Sequence, residues 1–221
     1  MSDDSFIREV DDELRQDTLK NLWQRYGVAV VGLAVAIVLA TAGWTAWDYW
    51  RTGKANASGD LYSQALDLAA QGKLDEAGTI LADLENGGFG AYPVLARLRK
   101  ATLLADQGDA AGAVAAFDAV TADTGAPMSL RDMASLRAAY LLVDHGSAAD
   151  VAARAEPLAS DTNPLRLPAR EALALAAWKE GRSSDALKLY LQIASDTAAP
   201  QNLKSRADMM AELIRGSGAG S

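Results

Sequence analysis

Few residues in this 221-residue chain are of types that do chemistry. Histidine occurs once, at His145, and cysteine not at all. Without cysteine there is no disulfide framework, no thiolate nucleophile and no cysteine zinc site. One imidazole supplies neither a multi-histidine metal site nor a second acid–base partner. A Ser-His-Asp arrangement would have to use His145, and no nucleophile elbow or other local signature accompanies it. His145 directly precedes Gly146, where a helix should end, and a histidine there is favoured by the helix dipole. Asp75-Glu76 and Asp11-Asp12-Glu13 are carboxylate runs of the kind that does acid–base work. Both fall on expected helices, where a solvated face accounts for them. Gly87-Gly88-Phe89-Gly90 has the glycine density of a phosphate cradle, yet no Lys-Ser or Lys-Thr follows it and no strand precedes it. It reads as a connector. The net charge of −8 is diffuse and opposes nucleic-acid binding, which calls for clustered Lys and Arg. These residue types point to a chain without catalysis, cofactor, metal or small-molecule substrate, one that works by binding proteins.

The elements that would position a binding surface begin with an apolar run. Residues 26–47 carry no charge and are bounded by Arg25 and Asp48. As a helix, 22 residues rise about 33 Å, against a hydrocarbon core of about 30 Å. Trp23, Tyr26, Trp44, Trp47, Tyr49 and Trp50 flank an aliphatic middle at 28–43, the arrangement of rings that membrane interfaces favour. The rival is a signal peptide cleaved at Ala40-Thr41-Ala42. Against it, the 25 preceding residues are long and carry seven acids, and the apolar run continues past that point. Arg8, Arg15, Lys20 and Arg25 precede the run and only Arg51 and Lys54 soon follow it, which places the N-terminus in the cytoplasm. Within the run, Gly32, Ala36, Ala40 and Gly43 form a stripe of small side chains that lets another membrane helix approach. The tail before it, residues 1–25, patterns as an amphipathic helix with Ile7, Val10, Leu14 and Leu22 in period. Residues 48–58 are a linker or a helix extension.

From residue 59 to 214 the pattern is helix after helix. Four glycine-centred turns recur, at Gly72, Gly108, Gly146 and Gly181, spaced 36, 38 and 35 residues apart. The spacing is close to the ~34 of tetratricopeptide repeats. Ala65, Ala101, Ala139 and Ala174 stand seven before these glycines; Ala77, Ala113, Val151 and Ala186 stand five after. Leu81, Phe117, Ala155 and Tyr190, then Leu84, Val120, Leu158 and Ile193, repeat further on. Small residues near the turn let paired helices pack closely, larger ones fill the space to the next pair, and a left-handed glycine ends each first helix. Asp109, Ser147 and Ser183 or Ser184 are candidate caps for the second helices. Helices are expected near 59–71, 74–85, 92–107, 110–122, 129–145, 148–159, 165–180 and 183–195. Another, at 201–214, would cap the stack. Pro93, Pro127, Pro164 and Pro200 fall near junctions, and 215–221 is a flexible tail. The fold class is all-α: a single transmembrane helix followed by an α-solenoid of about four degenerate tetratricopeptide-like helix pairs. A plain alanine-rich bundle is the competing architecture. A solenoid lines its concave face with the first helix of each pair. Counted from the turns, Tyr62, Leu66, Leu98, Thr102, Leu136, Tyr140, Leu175 and Trp178 should look toward a peptide groove there, or else complete the core.

The order of features resembles one family, the membrane-anchored tetratricopeptide-like YfgM proteins, in its alphaproteobacterial form. The lead-in FIREVDDELRQDTLKNLWQRYG (residues 6–27), the single span and Trp47-Asp48-Tyr49-Trp50 carry the resemblance. It implies a non-catalytic ancillary subunit of the Sec translocon in the bacterial inner membrane, with its C-terminal domain in the periplasm. The implied partners are translocon subunits and a membrane-anchored periplasmic peptidyl-prolyl isomerase-type chaperone, with handover of exported proteins as the task. The resemblance brings no binding-residue motif. A scaffold for another cell-envelope assembly is the alternative.

Overall fold

A computed structural model describes residues 3–217, with side chains at Lys20 and from Trp23 onward. The expected amphipathic pattern of Ile7, Val10, Leu14 and Leu22 lies outside the described side chains. The chain divides into two compact units, Met1–Lys54 and Ala55–Ser221. Among the described residues every element is helical, and no strand occurs.

The first unit belongs to helix α1, Asp3–Ala70. Residues 48–58 are helical within α1; Gly53 is the one glycine among them, and no proline interrupts. The side chains from Val28 to Trp50 are exposed. Thr41 and Thr45 bring the only aliphatic hydroxyls into the charge-free run, and each donates back to the carbonyl four residues earlier, Ile37 and Thr41, at 2.8 Å. At its start the Trp23 ring lies over Gly27, where a Cβ would meet it at 3.2 Å. At its end the Trp47 and Trp50 rings stand 5.4 Å apart. By length and composition this is the one described stretch able to cross a membrane.

The second unit begins with the end of α1 and continues through α2 (Leu74–Gly87), α3 (Tyr92–Asp106), α4 (Ala110–Ala122), α5 (Met128–His145) and α6 (Ala148–Ala155). Then come α7 (Arg166–Lys179), α8 (Ser183–Ser195) and α9 (Gln201–Gly216). Each helix from α2 onward packs on the next, and α3, α5 and α7 also touch in sequence, so the first helices of successive pairs form one layer. That is a solenoid of helix pairs. Every repeated position on either side of the turn glycines is buried, from Ala65, Ala77, Leu81 and Leu84 to Ala174, Ala186, Tyr190 and Ile193. The buried residues fall into four apolar clusters distributed along the stack. Residues Leu203, Ala207, Ala211 and Ile214 of α9 close the last cluster.

Three of the four turns share one construction. Gly72, Gly108 and Gly181 have φ of 80°, 87° and 78°. After each, the next amide reaches back five residues in Schellman fashion: Lys73 to Leu68, Asp109 to Leu104 and Arg182 to Ala177, at 2.9, 2.9 and 2.8 Å. Gly146 departs from the expectation, with φ −131° and ψ −169°, extended and not left-handed. The turn from α5 to α6 is one residue shorter, and Ser147 starts α6 at once with a capping box to Asp150. The orphan carbonyls of Val143 and Asp144 are taken instead by Lys179 Nζ, at 2.8 Å each. A Cβ there would lie 2.6 Å from Leu142 Cδ2, so a larger residue would have to turn the Leu142 side chain aside. Asp109 caps α4 as expected, accepting from Gly112 N. Ser183 and Ser184 do not cap α8: Arg182 occupies the cap position and its side chain makes no capping bond, and Ser183 is buried as the first helical residue. α6 ends early because Pro157 has no amide to continue it; a 3-10 turn, Glu156–Leu158, finishes the element. α9 runs to Gly216, so helix enters the segment expected to be a flexible tail.

Candidate functional site

The candidate groove residues distribute over several surroundings. Tyr62 and Leu66 from α1 meet Leu98 and Thr102 from α3 around one recess of about 230 Å³. Leu95 and Arg99 of α3 and Leu130, Met133 and Arg137 of α5 complete its lining. The volume falls below the roughly 300–1,000 Å³ of small-molecule pockets and suits side chains of a protein partner. Arg137 donates through Nη1 to Thr102 Oγ1 at 3.0 Å, and Thr102 donates to the Leu98 carbonyl at 3.1 Å. Arg99 Nε is buried with no acceptor. The Tyr62 ring rests 6.0 Å from that of Tyr92, tilted by 56°.

Leu136 is 5% exposed and belongs to the core that α5 forms with α6 and α7, so it offers no surface to a partner. Trp178 is half-buried against the last core cluster, and Leu175 is half-buried on α7. Tyr140 lines a second recess, of about 480 Å³, between α5, α7 and α9. Its hydroxyl donates to Glu171 Oε2 at 2.8 Å and lies 3.0 Å from the Pro168 carbonyl. Glu171 is nearly buried and also receives Arg206 in a two-pronged contact, both bonds 3.0 Å. Close by, the Tyr190 ring is fully buried and its hydroxyl has no partner. Burial pushes the Tyr190 phenol up to about 12, with the Glu171 charge adding to the effect. Burial, then Glu171, pushes Tyr140 upward in the same direction. Both phenols therefore stay protonated at neutral pH, and the Glu171–Arg206–Tyr140 cluster works as a clamp between α5, α7 and α9.

Arg99 and Arg137 in the first recess and Glu171 and Arg206 in the second are charged lining residues that sequence reasoning passed over. Arg99 and Arg137 stand at equivalent repeat positions, nine before Gly108 and Gly146. Counting one row of residues from the turns finds one flank of a groove; the facing flank of the next helix uses a different row. His145 is exposed at the end of α5. Among the described residues no cluster of three or more His, Cys, Asp or Glu could hold a metal ion.

Gly32, Ala36, Ala40 and Gly43 are exposed on α1, and a Cβ at Gly32 or Gly43 would meet no atom within 4 Å. No curated protein and no solved structure matches the chain. Residues 20–159, well over half of it, match the family described as Tetratricopeptide repeat-like domain. The matched region begins before the charge-free helical run and extends through the first three helix pairs. Helix pairs stacked on a repeating buried lattice, with a solvent-facing recess between first helices, are what such a domain is built from, and this chain belongs to the tetratricopeptide repeat-like domain family of protein-interaction scaffolds.

Proposed function

We propose that the chain is a non-catalytic, single-pass protein of a bacterial inner membrane that presents its repeat domain to partners in the periplasm. The observation that carries this is the helical run 26–47: it has no charge, exposes its aliphatic side chains, and turns both threonine hydroxyls back onto its own carbonyls. A helix in hydrocarbon must satisfy its polar groups internally, and this one does. Exposed in water, the same contiguous apolar surface would be a liability. The family match supports an uncleaved anchor over a signal peptide, since cleavage near Ala42 would remove residues 20–42 of the matched region. The excess of Lys and Arg before the run supports an N-terminus in the cytoplasm.

Within that topology the role we infer is that of an ancillary Sec translocon subunit, contacting a membrane-anchored periplasmic peptidyl-prolyl isomerase-type chaperone and aiding handover of exported proteins. Its support is the resemblance over residues 6–50. Photo-crosslinkers placed at Gly32, on the small-residue stripe, and at Trp178 should capture translocon or chaperone subunits from native membranes. Capture of neither, with subunits of a different envelope assembly recovered instead, would replace this role by the alternative scaffold. A reporter fused after Gly216 that is active only in the cytosol would overturn the topology itself.

A further inference from the structure

Where the charge-free run ends, α1 gathers its tryptophans and its next two cations on one side. At about 100° of turn per residue, Trp44, Trp47, Trp50, Arg51 and Lys54 share one sector about 120° wide. All five side chains are exposed, and within the sector the Trp47 and Trp50 rings stand 5.4 Å apart. The opposite side at this level carries Tyr49, Thr52 and Asn56, and no charge. Asp48 stands three residues before Arg51, yet among the described residues neither Arg51 nor Lys54 meets a carboxylate. Depth decides what anion can reach them. With Trp47 at the edge of the hydrocarbon, Arg51 lies about 6 Å beyond it and Lys54 about 10 Å. The headgroup layer extends roughly 5–8 Å from that edge. Arg51 therefore falls at the level of the lipid phosphates, and the long stem of Lys54 lets its ammonium reach them from above.

We propose that this face of α1 seats the headgroup of an anionic phospholipid. Arg51 takes the phosphate with its guanidinium fork, which matches two phosphate oxygens at once. Lys54 adds a point charge from the water side, and the three tryptophans flank the glycerol and the upper acyl chains. Charge complementarity selects the occupant: the anion that the interfacial layer supplies is the lipid phosphate, and a headgroup without a compensating amine leaves both cations attracted to it. The one-sided placement makes a seat, where rings and cations spread around the helix would make only a belt. Half the hydrocarbon core is about 15 Å, or about ten residues of helix, so a lipid of this leaflet covers α1 down to about residue 37. Gly32 and Ala36 then fall in the other leaflet and stay open to a protein helix. This rests on residues 26–47 spanning the membrane and adds which lipid the anchor selects.

The test uses the full chain with Trp23→Phe and Trp178→Phe, so that only the three tryptophans of this face remain. The protein is reconstituted in phosphatidylcholine vesicles, and tryptophan quenching is followed as brominated-chain phosphatidylglycerol or brominated-chain phosphatidylcholine replaces part of the lipid. Phosphatidylglycerol should associate at least about fivefold more strongly than phosphatidylcholine, the effect of one cation near the headgroups. Arg51→Gln with Lys54→Gln should remove that preference. Adding Thr52→Lys and Asn56→Lys to this pair returns the charge at the same depth on the opposite side, and should recover little of it. Full recovery there would mean a diffuse attraction and would overturn the seat, as would a preference unchanged in the Arg51→Gln, Lys54→Gln protein. Equal quenching by the two lipids would overturn the lipid inference and leave the anchor standing. Quenching by neither would put the tryptophans outside the bilayer and overturn both the seat and the spanning helix.

Discussion

Tyr140 and Tyr190 sit in one cluster, and the same substitution should move stability in opposite directions at the two. Tyr140 donates its hydroxyl to Glu171 at 2.8 Å, and Glu171 is nearly buried. Tyr140→Phe deletes a hydrogen bond to a charged group, worth about 1.5–3 kcal/mol, and leaves Glu171 to Arg206 alone. Tyr190 has a fully buried ring and a hydroxyl with no partner. Its desolvation costs about 1–3 kcal/mol with nothing in return. Tyr190→Phe removes that cost and leaves a void of one oxygen atom, which at about 24 cal/mol per Å³ takes back only a few tenths. The net expectation is a gain of about 1 kcal/mol. For a domain of this size 1 kcal/mol moves Tm by about 2–4 °C. Calorimetry of the full chain in detergent should show Tyr190→Phe melting about 2–4 °C higher than the parent. Tyr140→Phe should melt about 4–8 °C lower, corresponding to a loss of about 2 kcal/mol. The two phenols share Glu171 as a neighbour, so the double variant need not be additive. A fall in Tm for Tyr190→Phe matching that for Tyr140→Phe would mean the Tyr190 hydroxyl is bonded in solution, and the account of this cluster would be wrong.

Two further perturbations follow from the turns and the ion pairs. At Gly108, φ is 87°, so Gly108→Ala should cost about 1–2 kcal/mol in thermal unfolding. Gly108→Asn should cost less, because Asn tolerates the left-handed region; equal losses would show that sterics other than φ dominate there. In acid, Asp123 is held below its ordinary 3.8 chiefly by Arg97, and Asp196 chiefly by the Ala198 amide and then by Arg166. A depressed folded pKa stabilises above the unfolded value and loses that contribution as pH falls through the folded one. Unfolding free energy should therefore hold steady above about pH 5 and decline below about pH 4, with a shallower decline in Asp123→Asn. A decline already complete by pH 5 would assign acid sensitivity to other groups.

The helix pairs were legible because their cause is local and repeats. A small residue seven before each glycine and larger ones after it describe how two short helices bury one face, so Ala101, Ala113, Phe117 and Val120 could be placed without coordinates. Boundaries at Ala110–Ala122 and Ser183–Ser195 are set by glycine turns and by the ends of apolar periodicity, both visible in one dimension. What failed was long-range. Lys179 capping Val143 and Asp144 replaces the expected left-handed Gly146 from 35 or 36 residues away. Glu171 occupies a position where Tyr62, Leu98 and Leu136 stand in the other repeats, and a carboxylate there becomes intelligible only once Arg206 and Tyr140 converge on it. Leu136 turned inward for a related reason. Its neighbours α6 and α7 close over that face of α5, while the faces of α3 and α5 toward α1 stay open.

The two recesses differ in their relation to the family match and in how their charges are paired. Tyr62 through Arg137, the whole lining of the first recess, lies inside residues 20–159. The second recess depends on Glu171 and Arg206, beyond the matched region, and its charges are already spent on each other. A clamp with its donors and acceptors paired gains little from a ligand that must first break those pairs. It serves the end of the stack, where α9 would otherwise leave the last pair uncovered. The first recess has the opposite electrostatic state: cationic donors in excess, no anion of its own, and apolar side chains alongside. A ligand that meets unsatisfied donors, such as Arg99 Nε, has no such pairs to break.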